Sequence, residues 1–245
     1  MSTLADIGFE RYRPLGSRAR WARIALVTMI AADVIAVLSG LREYVLLERL
    51  ETDLVTAEEI EASDRRQQVV AISQVAVYAF AAFFFIRWLH RAYSNITPLG
   101  AQYPRYSRGT AIWSWFVPIL NVWRPKQVIN DVWRASDPGA PVDQGDTWRE
   151  KEPPVLYGVW WISWVVLTFA YNADFRIYLR AETLEELQFS SIFTAVTDGA
   201  SVLVALLAIA VVHRTTERQE ARAEQLRGTL PSETQGESGI FPPPE

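Results

Sequence analysis

The residues best suited to chemistry in this sequence are two aspartates that lie inside long apolar runs. Asp33 lies within Ile24–Leu41 and Asp198 within Ser190–Val212, and each is the one charged residue of its run. A carboxyl group in apolar surroundings holds a proton, coordinates a cation or hydrogen-bonds to a neighbouring helix. Two interpretations therefore stay open: the aspartates form a proton or cation site, or they only hold helices together.

Four apolar runs must position these two carboxyl groups. They are 17 to 23 residues long, namely Ile24–Leu41, Val69–Leu89, Val155–Tyr171 and Ser190–Val212. About 20 apolar residues in a helix cross the hydrocarbon of a bilayer, and a helix satisfies every backbone hydrogen bond within its own segment. We therefore predict an all-α membrane protein with four transmembrane helices, in which Asp33 and Asp198 lie near the middle of the bilayer.

The basic residues predict the orientation of these helices. Of the 24 Lys and Arg residues, 18 lie before the first run, at the end of the second run or between it and the third, or after the fourth. Because positive charge marks the cytoplasmic side of a membrane, we expect both termini to be cytoplasmic. The prediction is a cytoplasmic segment over residues 1–23, a membrane domain over 24–213, and a cytoplasmic tail over 214–245 that is disordered from about residue 228.

A fifth apolar stretch, Trp113–Pro125, lies between the second and third runs. It is too short to cross a bilayer, and Pro118 would break a helix near its centre. A fifth crossing would also place the two termini on opposite sides. We therefore predict a re-entrant or interfacial helical element between helices two and three. Residues 126–136 have the pattern of an amphipathic helix, which lies either on the membrane surface or on a protein core.

Three arginines of the central region, Arg91, Arg124 and Arg134, are candidates for binding an anion or a lipid headgroup, because a guanidinium group binds phosphate through two hydrogen bonds. They also fit a plain orientation signal. The chain has no cysteine, and His90 and His213 have no further ligands at metal spacing. No phosphate-binding loop or nucleophile motif occurs, so we predict no catalytic residue, metal site or cofactor. The net charge of −4 does not indicate a nucleic-acid partner.

Several residues of rare types stand at fixed distances from one another in the same region. They are Arg91 and Asn95, Ser107 and Gly109, the group Trp115, Phe116, Pro118, Asn121 and Pro125, and the ending Trp133-Arg134-Ala135-Ser136. This pattern resembles a bacterial family of integral membrane domains of unknown function. Thr110 departs from it, because an aromatic residue is expected there. The resemblance covers about 50 residues and implies a multi-helix membrane domain without an assigned activity. Asn95 and Asn121 are expected to have structural roles, as caps of backbone groups beside the proline break.

The functional prediction is a small, non-enzymatic membrane module for sensing, scaffolding or assembly. Its cytoplasmic aromatic and basic surface would contact membrane lipids, a partner protein or a second copy of the chain. The alternative is a proton or cation transporter, or a channel subunit, that uses Asp33 and Asp198. The four spans predict a multi-pass membrane protein, and the resemblance to a bacterial family implies that the membrane is the bacterial cytoplasmic membrane.

Overall fold

A computed structural model describes residues 12–51 and 54–229. Within these residues the chain forms six α-helices and two short 3₁₀ segments, Leu120–Val122 and Thr147–Glu150, without an extended strand. The helices are α1 (Gly16–Leu50), α2 (Ala57–Ser94), α3 (Thr110–Trp113), α4 (Arg124–Ala135), α5 (Val155–Tyr178) and α6 (Leu184–Thr229). The tail predicted to be disordered lies, from residue 230 on, outside the described residues.

The four predicted apolar runs are confirmed as helices. By length and composition, α1, α2, α5 and α6 can each cross a membrane, and such a set of apolar helices indicates a multi-pass membrane protein. All four helices extend beyond their apolar runs, because the flanking residues are good helix formers. At the start of α2, Thr56 and Glu59 cap each other's backbone N–H groups, which fixes the first turn.

Helix α6 is the centre of the bundle. It packs against α1 and α5, and α1 also packs against α2. Small residues such as Ala195, Ser201, Ala205 and Ala208 are buried along α6 and allow the neighbouring helices to approach closely. Large apolar side chains on the outside remain exposed, for example Val75, Phe169 and Leu203. Such a surface is suited to lipid rather than to water.

Aromatic side chains fill the bundle at the end where α2 stops and α5 begins. Trp115 lies 5.8 Å from Phe85 and 5.5 Å from Trp164 between ring centroids, and the Trp160 and Trp161 rings are 5.6 Å apart. Trp160 and Trp161 are almost fully buried. These rings therefore form an internal cluster rather than a belt of surface anchors, and they close this end of the bundle with apolar groups.

The segment between α2 and α5 has one apolar outer side. Phe116 is 72% exposed and Ile119 is 70% exposed, whereas Ser114 is fully buried. The following helix, α4, packs its apolar face against α2 and α6. Of the two alternatives for this amphipathic helix, packing on a protein core therefore applies to its apolar face. Asp131, which the amphipathic pattern places on the polar face, is fully buried instead. The pattern was misleading there because Arg105 and Arg134 cover that face.

Candidate functional site

The structure brings Asp33 and Asp198 into one polar cluster, to which each of the four long helices contributes. Asp33 comes from α1, Gln74 and Tyr78 from α2, Tyr171 from α5, and Asp198 and Ser201 from α6. Both aspartates and Ser201 are no more than 2% exposed. The two carboxyl groups and Ser201 are therefore enclosed by the bundle, whereas Gln74, Tyr78 and Tyr171 are partly buried.

One amide group joins the two carboxyl groups. Gln74 donates from Nε2 to Asp198 Oδ1 at 3.2 Å and to Asp33 Oδ1 at 3.4 Å. Sequence reasoning named the aspartates but missed Gln74, Tyr78 and Tyr171. The available signal was the spacing of Gln74 and Tyr78, because polar residues four positions apart lie on one helix face.

A chain of hydroxyl groups joins the same two carboxyl groups by a second route. Tyr78 OH donates to Asp33 Oδ1 at 2.5 Å, and Tyr171 OH donates to Asp198 Oδ1 at 3.1 Å. The two phenol oxygens are 2.7 Å apart, and Ser201 Oγ is 3.4 Å from Tyr78 OH. The other carboxyl oxygens, Asp33 Oδ2 and Asp198 Oδ2, are buried without a hydrogen-bond partner among the described residues. The nearby Asp174 accepts a hydrogen bond from Thr194 Oγ1 at 2.7 Å.

Polar side chains continue from this cluster toward one end of the bundle. Ser39, Gln67 and Ser191 lie about two helical turns beyond Asp33, Gln74 and Asp198, on the side of the α1–α2 and α5–α6 connections. Ser39 Oγ donates to Gln67 Oε1 at 2.9 Å, and Arg66 Nε donates to Ser39 Oγ at 3.1 Å. Gln67 also bonds the Glu43 carboxylate. The polar side chains nearest to the cluster on this side thus lie about two helical turns away from it.

The opposite side of the cluster is apolar. The buried residues of α6 from Val204 to Val212 are all valine or alanine, and Phe85 and Leu167 face them from α2 and α5. Along α6, the next buried hydroxyl on this side is that of Thr215, which lies 2.6 Å from Tyr157 OH. Thr215 is 14 residues along α6 from Ser201, or about 21 Å at 1.5 Å per residue. Along α6, the next buried polar side chains are therefore closer to the cluster on the side of Ser191, seven residues from Asp198, than on the side of Thr215.

The three arginine candidates lie in different environments. Arg124 stacks 4.5 Å above the Tyr106 ring and donates to Gln127 Oε1 at 3.2 Å. Arg134 donates to the Lys151 carbonyl at 2.7 Å and lies 3.5 Å from Asp131. Both guanidinium groups are thus engaged within the protein. Arg91 belongs to a separate basic group.

This basic group lies where α1 begins and α2 ends, and it consists of Arg13, Arg18, Arg87 and Arg91. Arg18 donates to the Arg87 carbonyl at 3.1 Å. Burial, followed by the guanidinium groups of Arg91, Arg87 and Arg13, lowers the pKa of Arg18. Burial and Arg13 and Arg87 lower the pKa of Arg91 in the same way. Among the described residues, no carboxylate forms an ion pair with these four groups.

Asn95 and Ser136, two residues of the family-like pattern, belong to one buried hydrogen-bond network. Asn95 Nδ2 donates to the Arg13 carbonyl at 2.9 Å and to Gln219 Oε1 at 3.0 Å. Gln219 Nε2 in turn donates to the Ala92 carbonyl and to Ser136 Oγ, both at 3.1 Å. Asn95 therefore holds the start of the described chain, the end of α2, the end of α4 and α6 at one place.

The other motif residues shape the central segment. Gly109 is the residue before α3, Pro118 is exposed in the break before the first 3₁₀ segment, and Pro125 lies in the first turn of α4. Asn121 Oδ1 and Trp115 Nε1 are buried without hydrogen-bond partners among the described residues. Trp133 packs against Tyr157 at 5.1 Å and lies under the Arg218 guanidinium at 4.2 Å.

Arg222, which sequence reasoning missed, ties the central segment to α6. Its fully buried guanidinium group donates to the carbonyls of Leu99 and Val142 at 3.3 and 3.4 Å, and to those of Ala140 and Pro141 at 2.5 Å. Gly100 beside it has a φ of +94° and is backed by the Val142 carbonyl, so a side chain there would collide with backbone. The signal in the sequence was weak, because Arg222 lies in a charged stretch that looks like a solvated helix face.

Comparison with known proteins gives one family. A family model described as a domain of unknown function (DUF4328) matches residues 51–217, which is about two thirds of the chain and includes α2 to α5 and most of α6. No curated protein and no solved structure matches the chain significantly.

Proposed function

We propose, for a chain that belongs to the DUF4328 family, that it is a multi-pass membrane module that senses pH by binding a proton between Asp33 and Asp198. The observation that carries the proposal is the meeting of these carboxyl groups on a single amide, that of Gln74. Two carboxylates this close in a bundle interior cannot both remain charged without a large penalty, so the pair takes up a proton readily.

One-sided access favours a sensor over a transporter. A transported proton needs a polar route on both sides of its site. Here the nearest further polar side chains lie about two turns from the cluster, toward the end that holds Ser39 and Gln67, which is the more open end, while the buried residues from Val204 to Val212 and the aromatic cluster fill the other end. The orientation inferred from the basic residues makes the open end face away from the cytoplasm. The module then responds to the pH outside the cell, in the cytoplasmic membrane that the sequence predicts.

Infrared difference spectroscopy on the protein in vesicles tests this function. On acidification, we expect the carbonyl stretch of a protonated carboxylic acid to grow in the wild type, because the cluster takes up a proton. Because Asp131 also takes up a proton near pH 6, the variants are compared in an Asp131→Asn background: there the double variant Asp33→Asn/Asp198→Asn should lose this change, and Asp146→Asn, which removes an exposed carboxylate, should keep it. A double variant that keeps the band would contradict the proposal. Proton flux above that of empty vesicles, lost in the double variant, would assign a transporter instead.

The basic group supports a second role, binding of an anionic lipid phosphate on the cytoplasmic side. Four guanidinium groups, Arg13, Arg18, Arg87 and Arg91, gather there without a carboxylate partner among the described residues. The exposed Trp113 and Phe116 of the central segment would lie in the same headgroup region, as the interfacial or re-entrant element that the sequence predicts. Guanidinium groups bind phosphate strongly at such a boundary.

Lipid retention in nanodiscs tests this role. With phosphatidylcholine and phosphatidylglycerol both present, we expect the wild type to retain phosphatidylglycerol, and Arg18→Gln/Arg91→Gln to retain several-fold less, because two charges are removed. Arg214→Gln, an exposed change on α6, is the matched control. Equal retention by all three proteins would contradict a lipid site. Displacement of the lipid by millimolar inorganic phosphate would instead assign a free anion as the ligand.

A further inference from the structure

The oxygens of the carboxyl and phenol groups form a chain of hydrogen-bonded contacts, here called links. The chain has more links than the two phenols have hydrogens. Four atoms follow one another: Asp33 Oδ1, Tyr78 OH, Tyr171 OH and Asp198 Oδ1. Their separations are 2.5, 2.7 and 3.1 Å, all within hydrogen-bond distance. Each of the three links needs one hydrogen atom, and each phenol carries one. If both carboxyl groups are ionised, only two hydrogens are present for three links.

Neighbouring donors do not supply the missing hydrogen. Gln74 donates to both carboxyl oxygens but does not lie between the chain's members. Ser201 Oγ is 3.4 Å from Tyr78 OH and also lies near Asp33 and Tyr171, but its single hydrogen would point to one of these groups from the side and would not lie between two members of the chain. With both carboxyl groups ionised and both phenols donating to them, the two phenol oxygens would face each other at 2.7 Å with no hydrogen between them.

We infer that the cluster permanently holds one proton, which Asp33 and Asp198 share through the two tyrosines. In one state Asp33 is the acid: it donates to Tyr78, Tyr78 donates to Tyr171, and Tyr171 donates to ionised Asp198. In the other state Asp198 is the acid and all three hydrogen bonds point the other way. Moving each hydrogen along its own link converts one state into the other. The protonated carboxyl group then changes from one aspartate to the other, while the cluster keeps a net charge of −1.

This inference rests on the proposed function and specifies its starting state. The proton that responds to pH is then the second one, because the first is required by the hydrogen-bond chain. Its acceptors are the oxygens that the chain leaves free, Asp33 Oδ2 and Asp198 Oδ2, which are buried without a partner among the described residues. The charged or titratable groups that face the cluster are Tyr78, Tyr171 and, beyond Asp198, Asp174.

Single asparagine substitutions test the shared proton at neutral pH. An asparagine amide donates a hydrogen without being an acid, so Asp33→Asn completes all three links and leaves Asp198 ionised. By the same argument, Asp198→Asn leaves Asp33 ionised. We expect the wild type to show one protonated carboxyl per chain in its infrared spectrum and each single variant to show none. If one of the variants keeps its protonated carboxyl, the two groups titrate independently and the sharing is refuted.

Phenylalanine substitutions provide a second readout that does not remove a carboxyl. Tyr78→Phe and Tyr171→Phe each break the chain, so the chain no longer requires a proton, but the closeness of the two carboxyl groups at Gln74 still favours one. That proton should then stay on one carboxyl group, and its carbonyl band should shift and sharpen. Tyr157→Phe is the matched control, because it removes a buried phenol hydroxyl that bonds Thr215 outside the cluster. An unchanged band in both test variants would overturn the shared proton. A wild type with no protonated carboxyl at any pH would overturn the proposed function as well, whereas the other outcomes leave it standing.

Discussion

Replacing Arg222 by methionine is expected to lower the free energy of unfolding by about 3–5 kcal/mol. The substitution removes the donors for four backbone carbonyls, those of Leu99, Ala140, Pro141 and Val142. A buried acceptor left without a partner costs roughly 1–3 kcal/mol, and part of that cost is recovered where water enters. Thermal unfolding in detergent should show a melting temperature lower by roughly 10 °C.

A matched change on the same helix controls for the loss of a positive charge. Arg214 is exposed on α6, so Arg214→Met should change stability by less than about 0.5 kcal/mol. Hydrogen exchange should also become faster in the Arg222→Met variant around residues 99–101 and 140–145, and little elsewhere. Similar melting temperatures for the two variants would mean that the buried guanidinium group does not hold the central segment.

The second large effect is a pH dependence of stability that comes from Asp131. Burial raises the pKa of this carboxyl group to about 6, although the charges of Arg105 and Arg134 act in the opposite direction. The folded protein therefore keeps a proton on Asp131 that the unfolded chain releases near pH 3.8. Stability should fall as the pH rises from about 4 to 6 and stay level above, by about 3 kcal/mol in all, since each pKa unit corresponds to about 1.4 kcal/mol.

The variant Asp131→Asn should lose this dependence, because the amide has no charge to bury. We expect the difference in unfolding free energy between wild type and variant to change sharply between pH 4 and 6, and to favour the variant at neutral pH. Asp146→Asn, which changes an exposed carboxylate of the same segment, should follow the wild type. Parallel curves for wild type and Asp131→Asn would contradict the assignment.

The sequence predicted the membrane helices well because their signal is local. Each apolar run is long enough to be recognised by itself, and all four were found as helices that can span a membrane. The family resemblance was likewise carried by residues close together in the chain. A domain of unknown function was the expectation, and the family model agrees.

The candidate site was only half predictable, because its geometry depends on contacts far apart in the chain. Asp33 and Asp198 stood out as isolated charges, but their partners Tyr78 and Tyr171 are ordinary residues in apolar helices. The Tyr78–Tyr171 contact joins positions 93 residues apart, and its existence follows from the helix packing alone. The prediction that Asp131 lies on a polar helix face was misleading for a related reason. Periodicity places a residue on a helix face but does not say which other residues cover that face.

The length of α6 has a mechanical consequence. This helix runs for 46 residues without a proline, and so extends about 69 Å as one rod. Asp198 near its first third and Arg222 near its end are 24 residues apart, about 36 Å along the same axis. A rotation or a small axial shift of α6 at Asp198 would therefore also move Arg222 and the backbone carbonyls to which it donates. One helix thus couples the two ends of the bundle mechanically.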